Sequence, residues 1–248
     1  MPAQPVPVLP LILLTRPQGQ SERFAAALRQ QIDAAEVLIA PLMAARFLRP
    51  EIPPRIWQGL VLTSETGAEA ARRIAAGGAT LPERAYCVGD RTRDAARAAG
   101  FVAVSAQGAA TDLVEDLVAR KLAGPLLHLR GKASTGDVAA RLSAAGVETI
   151  SLVCYEQRPL QAGPGLIAVL RERRPVLLPL FSPRSAELFR DQLAKTGATA
   201  PVWVVAMSAA VAQALHPLVP DRIAVAGRPD SAAMVAACLA MLRGETGS

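Results

Sequence analysis

The sequence predicts an α/β protein of two similar lobes, each a parallel sheet flanked by helices, joined by a two-strand hinge. Three observations predict it. Short apolar runs alternate with longer amphipathic stretches along nearly the whole chain. The motif order of the first half recurs in the second. Two Pro-containing segments, Glu36–Pro50 and Thr149–Pro164, have no counterpart among ordinary loops.

The strand-like runs are Leu11–Leu14, Val37–Ile39, Leu60–Thr63, Ala85–Val88, Val102–Val104, Leu126–Leu129, Ile150–Val153, Val176–Leu180, Val202–Ala206 and Ile223–Ala226. Several are apolar without alternation, as strands covered on both faces require. Between them lie helical stripes. Phe24, Leu28 and Ile32 recur at i, i+4 and i+8. Leu113, Val114, Leu117 and Val118 form a second stripe, and Met234, Val235, Cys238, Leu239 and Leu242 a third.

The repeat is read from four matches in the same order. LTRPQGQSERFAAAL (Leu14–Leu28) resembles HLRGKASTGDVAARL (His128–Leu142), with Arg16 on Arg130 at an offset of 114. TSETGAEAA resembles FSPRSAELF, with Ser64 on Ser182 at 118. CVGDRTRDAA resembles AMSAAVAQAL, with Gly89 on Ser208 at 119, and the stripe at Leu113 falls on the stripe at Met234 at 121. Any one match between Ala-rich helices is weak, whereas a slow drift at nearly one offset indicates duplication. The unmatched Pro-containing segments then read as two crossings between lobes. The expected division is 1–38 plus 163–248 for a discontinuous first lobe, 47–151 for the second, and 39–46 with 152–162 as linker strands.

Composition narrows the function classes. With 51% apolar and 19% charged residues in 248, the chain has a core to bury and is not disordered. No stretch approaches the ~18 uninterrupted apolar residues of a membrane helix. The opening MPAQPVPVLPLILLTRP lacks a basic n-region, so no secretory signal is expected. Cys87, Cys154 and Cys238 are scattered and form no CxxC, which points away from disulfides and thiolate metal sites and towards a reducing cytoplasm. His128 and His216 lie far apart. The net charge is +6, and 24 of the 27 basic residues are arginines. That excess suits an anionic ligand, although Arg-rich, Ala-rich composition also reads as plain bias. With 4% aromatics and no basic cluster, a nucleic-acid partner is not expected.

The chemistry concentrates at strand-to-helix turns: Thr15-Arg16-Pro17, Thr63-Ser64, Gly89-Asp90-Arg91-Thr92, Arg130-Gly131-Lys132, Ser182-Pro183-Arg184 and Ser208. In parallel α/β sheets ligands sit beyond the carboxyl ends of the strands, and helix N-termini present N–H groups to anions. The same hydroxyls also serve as plain helix caps. Two such lobes facing each other would hold a polyanion in a cleft. GxGxxG, GxSxG, HExxH and a complete P-loop are absent. Tyr155 ends the return crossing, as a site residue or as a packing tyrosine with a wet hydroxyl. Glu156 beside it reads as an isolated, solvated charge.

Together these residues resemble the uroporphyrinogen-III synthase family. The motifs are Thr15-Arg16-Pro17, Thr63-Ser64, Val88-Gly89-Asp90-Arg91-Thr92, Arg130-Gly131, Val153-Cys154-Tyr155 and Phe181-Ser182-Pro183, and they extend from about Leu11 to Leu242. The chain departs from the family pattern at one turn. The family's second G-x-x-T turn stands here as Ser208-Ala209-Ala210-Val211, so its threonine is missing, and Ser208 offers a hydroxyl from a neighbouring position.

The resemblance implies two flavodoxin-like lobes and a cyclising lyase. Its substrate is the linear tetrapyrrole hydroxymethylbilane. Its product is uroporphyrinogen III, formed with loss of water and inversion of ring D, on the route to haem. It implies no cofactor, no metal, no membrane and a cytoplasmic monomer. It also implies Tyr155 as the residue that helps the hydroxyl leave. Thr15, Arg16, Thr63, Ser64, Gly89, Thr92, Arg130, Gly131, Ser182 and Ser208 are then the substrate-binding set, with Thr92 facing the cleft. The alternative from another class is a non-catalytic two-lobed cytoplasmic binding protein for a small anionic ligand. A nucleotide-dependent α/β enzyme is disfavoured by the missing glycine motifs.

Overall fold

The computed structural model of the chain describes residues 9–32, 35–122, 124–133 and 136–244. The ends of the expected first lobe, 1–8 and 245–248, lie outside the described residues, as does 134–135 of the second repeat copy.

In chain order the elements are β1 (Leu11–Leu14), α1 (Gln18–Arg29), β2 (Val37–Ile39), β3 (Met43–Phe47), β4 (Gly59–Leu62), α2 (Glu65–Ala76), β5 (Arg84–Cys87), α3 (Asp90–Ala98), β6 (Val102–Ser105) and α4 (Ala110–Ala119). They continue with β7 (Leu126–Gly131), α5 (Val138–Ala144), β8 (Thr149–Pro159), α6 (Pro164–Arg171), β9 (Val176–Leu180), α7 (Pro183–Thr196), β10 (Val202–Ala206), α8 (Ala209–Gln213), β11 (Arg222–Val225) and α9 (Ser231–Leu242). By internal contacts the chain divides into two compact units, Met1–Ala44 with Pro159–Ser248, and Ala45–Arg158.

The first unit holds a sheet of order β11-β10-β9-β1-β2, and all its pairings are parallel. Its central strands are apolar on both faces because both faces are covered. On one face Leu13, Val176, Leu178 and Val204 pack against Leu166, Leu170, Phe189 and Val211 of α6, α7 and α8. On the other, Ile12, Leu14, Leu177 and Val205 pack against Phe24 and Leu28 of α1 and Met234 and Cys238 of α9. Phe189 is fully buried, and its truncation to Ala would cost about 3–5 kcal/mol. Helix α7 begins with Pro183 at its first turn, where no N–H is needed, and stops at Gly197, whose φ of 63° is left-handed.

The second unit repeats this plan. Its sheet order is β3-β8-β7-β4-β5-β6. Leu60, Leu62, Leu127 and Leu129 face α2 and α3 through Ala68, Ala71, Ile74 and Ala96. Val61, Tyr86 and Leu126 face α4 and α5 through Leu113, Leu117, Val138 and Leu142. Setting β4, β5, β6, β7 and β8 on β9, β10, β11, β1 and β2 gives the same spatial order in both units. The repeat read from sequence is therefore a repeat of topology, with the chain entering the first unit at a different strand. The layered parallel architecture is the expected one. Counted in chain order, the first unit's sheet β2-β1-β9-β10-β11 is 2-1-3-4-5, the flavodoxin order, and β4 to β8 of the second unit stand as 3-2-1-4-5.

Two local readings are corrected, the length of the first helical stripe and the burial of the last strand. Ile32 lies beyond α1, which ends at Arg29, so the helical stripe is shorter than its spacing suggests. Met43–Phe47, which overlaps the segment expected as a linker strand at 39–46, is a strand without a continuous apolar run. It lies at the edge of its sheet, beside β8 alone, and is only partly buried. The Leu48 N–H donates to the Cys154 carbonyl at 2.9 Å and the Leu160 N–H to that of Leu42 at 2.9 Å, so the two crossing segments run past each other in opposite directions. Strand β11 is an edge strand rather than a buried one, with Ile223 and Val225 about half exposed.

Candidate functional site

A 3-2-1-4-5 order reverses direction between its first and fourth strands and a 2-1-3-4-5 order between its first and third, and ligands favour the carboxyl ends of strands at that switch point. In the second unit the switch lies between β4 and β7, and in the first between β9 and β1. The expected site residues cluster at these two places.

In the second unit Ser64 follows β4 and caps α2. Its extended backbone (φ −157°, ψ 154°) aims Oγ at the N–H of Gly67, from which it accepts a hydrogen bond at 3.0 Å. The same Oγ lies 2.9 Å from the Tyr155 hydroxyl. Tyr155 reaches it because of a register shift between β7 and β8. Arg130 pairs with Val153 but Gly131 pairs with Tyr155, which leaves Cys154 as an extra residue. Alternation puts Ile150, Leu152 and Cys154 on the α2 face, and the bulge puts Tyr155 there as well.

Gly131 makes room for the ring. A Cβ on it would stand 2.8 Å from two atoms of the Tyr155 ring and 3.0 Å from its hydroxyl. Gly67 is similarly tight, its Cβ position being 3.1 Å from the Leu129 carbonyl oxygen. Burial pushes the Tyr155 phenol above its ordinary pKa, and the Ser64 hydrogen bond partly offsets this.

Thr63 is half-buried in the same turn. Gly89 caps α3 with extended backbone, and its Cβ position would be 3.9 Å from the Gly108 carbonyl. Thr92, expected to face the cleft, is 5% exposed in the first turn of that helix. Arg130 donates to the Gly131 carbonyl at 3.1 Å. Glu156 is not the isolated charge expected. Arg158 at 2.7 Å and Arg46 at 3.2 Å both pair with it, and the Arg158 hydrogen bond holds its carboxyl below the usual range.

In the first unit the turn after β1 holds Thr15 and Arg16. The Arg16 guanidinium stacks at 4.0 Å over the Phe181 ring, and Phe24 meets that ring edge-on at 4.9 Å. Ser21 donates to the Arg16 carbonyl at 2.9 Å and fixes the turn. Thr15 is buried, and its Oγ1 makes no hydrogen bond among the described residues. Ser182 caps α7 by accepting from the Ser185 N–H at 3.2 Å, and Ser185 Oγ accepts from the Ser182 N–H at 3.1 Å. Ser208 caps α8 with a longer contact of 3.4 Å to the Val211 N–H. Val211, standing where the repeat has Thr92, is buried in the α7–α8 core, so the missing threonine is replaced by apolar packing.

The structure thus joins Ser64, Gly131 and Tyr155 into one contact set, and Thr15, Arg16 and Ser182 into another beside Phe181. Gly89 and Ser208 sit one strand further along their own sheets. Sequence reading missed Gly67, Phe181 and Ser185 as members. The S-x-x-S spacing of Ser182 and Ser185 carried a capping signal that was available in the sequence. The Arg16–Phe181 stack had no local signal. Among the described residues, no group of three or more His, Cys, Asp or Glu is placed to hold a metal ion, and no helix is long and apolar enough to cross a membrane.

The family model described as Uroporphyrinogen-III synthase HemD matches residues 22–236. In structure the chain is similar to the uroporphyrinogen-III synthetase of Helicobacter pylori 26695, with a TM-score of 0.61 at 16% identity, over 94% of this chain and 100% of that one. That likeness supports the fold. A mutant uroporphyrinogen III synthase from the extremely thermophilic bacterium Thermus thermophilus aligns over 95% of this chain and 100% of its own with a TM-score of 0.47 at 15% identity. No curated protein sequence matches the chain significantly.

Proposed function

The chain belongs to the uroporphyrinogen-III synthase family, and on that premise we propose which of its residues carry the reaction. The family's enzymes are cyclising lyases of tetrapyrrole biosynthesis. They close hydroxymethylbilane to uroporphyrinogen III with inversion of ring D and loss of water.

Tyr155 assists the first step. The C–O bond of the hydroxymethyl group breaks, and the oxygen leaves as water with a proton drawn from the phenol. The resulting azafulvene is attacked by the substituted carbon of the terminal pyrrole. The spiro intermediate so formed fragments and recloses in the inverted sense, and the hydrogen lost from the closing carbon restores the phenol. A phenol of pKa ~10 is a weak acid, so its share of the acceleration is modest. The larger share comes from holding the bilane in one folded conformation.

The observation that carries this reading is the Tyr155 hydroxyl, held 2.9 Å from Ser64 Oγ at the switch point of a parallel sheet. Within each unit taken by itself, N–H groups at helix starts, those of α2 and α3 in one and of α7 and α8 in the other, are the candidates for binding the substrate's acetates and propionates. Thr63, Gly89, Thr92, Ser182 and Ser208 shape those turns, and Thr15, Arg16, Arg130 and Gly131 belong to the turns after β1 and β7. Many weak contacts of this kind suit a ligand with carboxylates on every ring. We place the protein in the cytoplasm as a monomer without a nucleic-acid partner. Three buried, unpaired cysteines support a reducing compartment.

The test is isomer analysis of the product from freshly generated hydroxymethylbilane. The expected result is the type III isomer, formed faster than spontaneous closure. Type I product alone, at the uncatalysed rate, would overturn the assignment and favour a binding protein.

A further inference from the structure

Ser64 is used twice. Its Oγ accepts the Gly67 N–H at 3.0 Å and lies 2.9 Å from the Tyr155 hydroxyl. A serine hydroxyl has one proton and two lone pairs. One lone pair is engaged by Gly67, while the proton is free to point at the Tyr155 oxygen. Because the accepted N–H belongs to the first turn of α2, the positive end of that helix polarises the hydroxyl. The ring also rests against Gly131, where a Cβ would collide with it. The phenol therefore touches both a polarised hydroxyl and a bare stretch of backbone.

We propose that Ser64 is a positioning residue for Tyr155: its hydroxyl, fixed by the Gly67 N–H, donates to the phenol oxygen, leaves the phenol proton for the substrate, and stabilises the phenolate once that proton has moved. This rests on the reading of Tyr155 as the group that helps the hydroxyl leave. It changes the role of Ser64 from a substrate contact to a part of the acid itself. The repeat supplies the contrast. Ser182 has nearly the same backbone angles (φ −156°, ψ 154°) and also caps its helix, but its hydroxyl turns to Ser185 and no tyrosine stands in its place.

The experiment has a readout that needs no substrate. In a Tyr86→Phe background Tyr155 is the only phenol, and its titration is followed by phenolate absorbance with circular dichroism as the check on folding. Ser64→Ala removes cap and donor together. Ser64→Asp keeps an acceptor for the Gly67 N–H but cannot donate. Both variants should titrate at higher pH than the parent. With the bilane, both should lose about tenfold in kcat with KM changed by less than about twofold, the pattern of an interaction made in the transition state. Ser182→Ala should lower the melting temperature by an amount similar to Ser64→Ala and leave the phenol titration unmoved. An unmoved titration in a folded Ser64→Asp protein overturns the proposal. So does full kcat in that variant, which would leave Ser64 a cap alone. So does a rise in KM at constant kcat, which would make it a substrate contact. The phenol titration stands whether or not the wild-type protein makes the type III isomer, so failure of the assignment and failure of this inference are separable.

Discussion

Ser64 and Ser182 hold the same position in the two units, each capping the helix after the central strand of its sheet, β4 and β9, with backbone angles that agree within 1°. Only Ser64 touches a tyrosine. The return crossing runs through β8 of the second unit, and the corresponding strand of the first, β2, is three residues long and ends at Ile39, before any bulge. Duplication therefore gave two equivalent sets of helix N-termini, and the second crossing gave one of them a phenol.

Tyr155→Phe keeps the ring and removes the hydroxyl. We expect kcat to fall roughly 10²-fold, the low end for loss of a positioned acid, because the substrate ionises unaided and closure is still directed. The melting temperature should hardly move. If Tyr155 only packs, the Phe variant keeps full turnover and Tyr155→Ala alone loses stability. Steady-state rates and thermal melts of the two variants distinguish these outcomes.

Gly131→Ala places a methyl 2.8 Å from the Tyr155 ring. The ring must move, and the overpacking should cost about 1–3 kcal/mol of stability. The rate loss should match that of Tyr155→Phe. The double variant should be no slower than either single one, since both act on the same hydroxyl. Additive rate losses in the cycle would show that Gly131 acts elsewhere.

His128 is 2% exposed, with Nδ1 3.0 Å from Ser151 Oγ, and burial with the nearby Arg130 charge lowers its pKa to about 4. Its folded pKa lies below the unfolded value of about 6.5. Between these values the unfolded chain binds the proton and the folded one does not. Stability should therefore fall as pH drops from about 6.5 towards about 4, by up to about 3 kcal/mol. Glu69, lowered to about 2 chiefly by its hydrogen bond to Arg72, adds a separate loss below its ordinary value of 4.5. Urea melts across this range should show both, and His128→Leu should flatten only the upper part.

Cys87, Cys154 and Cys238 are buried and unpaired, and burial pushes each thiol up to about 12. Native protein at neutral pH should resist alkylation, and all three thiols should react after unfolding. Mass spectrometry of iodoacetamide-treated samples checks this. Rapid labelling of Cys154 in the native state would mean that the β7–β8 bulge opens readily.

Much of this molecule is local and therefore readable from the sequence. Continuous apolar runs such as Leu11–Leu14 and Val176–Leu180 became fully buried parallel strands, because a strand covered on both faces can carry little polar surface. The stripe at Met234 became α9, and Ser64, Ser182 and Ser208 became caps, because capping needs only a hydroxyl and an N–H three residues away. Edge strands were harder to read. Met43–Phe47 has no apolar run because hydrogen bonding to β8, rather than burial, makes it a strand.

The sequence by itself determined the strand–helix alternation and the polar turns, since each is encoded within one or two helical turns of chain, and the two-fold repeat, since its copies match in order at nearly one offset. Tertiary structure alone decided which turns meet. Ser64 and Tyr155 are 91 residues apart, and they touch because sheet order places β4 beside β7 and β7 beside β8. One extra residue in β8 decides which face the tyrosine takes, since side chains alternate across a strand and a one-residue shift reverses them. The sequence names Gly131 and Tyr155, but nothing in their spacing encodes that the ring of one lies where the side chain of the other would be. That contact is fixed by pairing register, which the packing of the whole sheet selects.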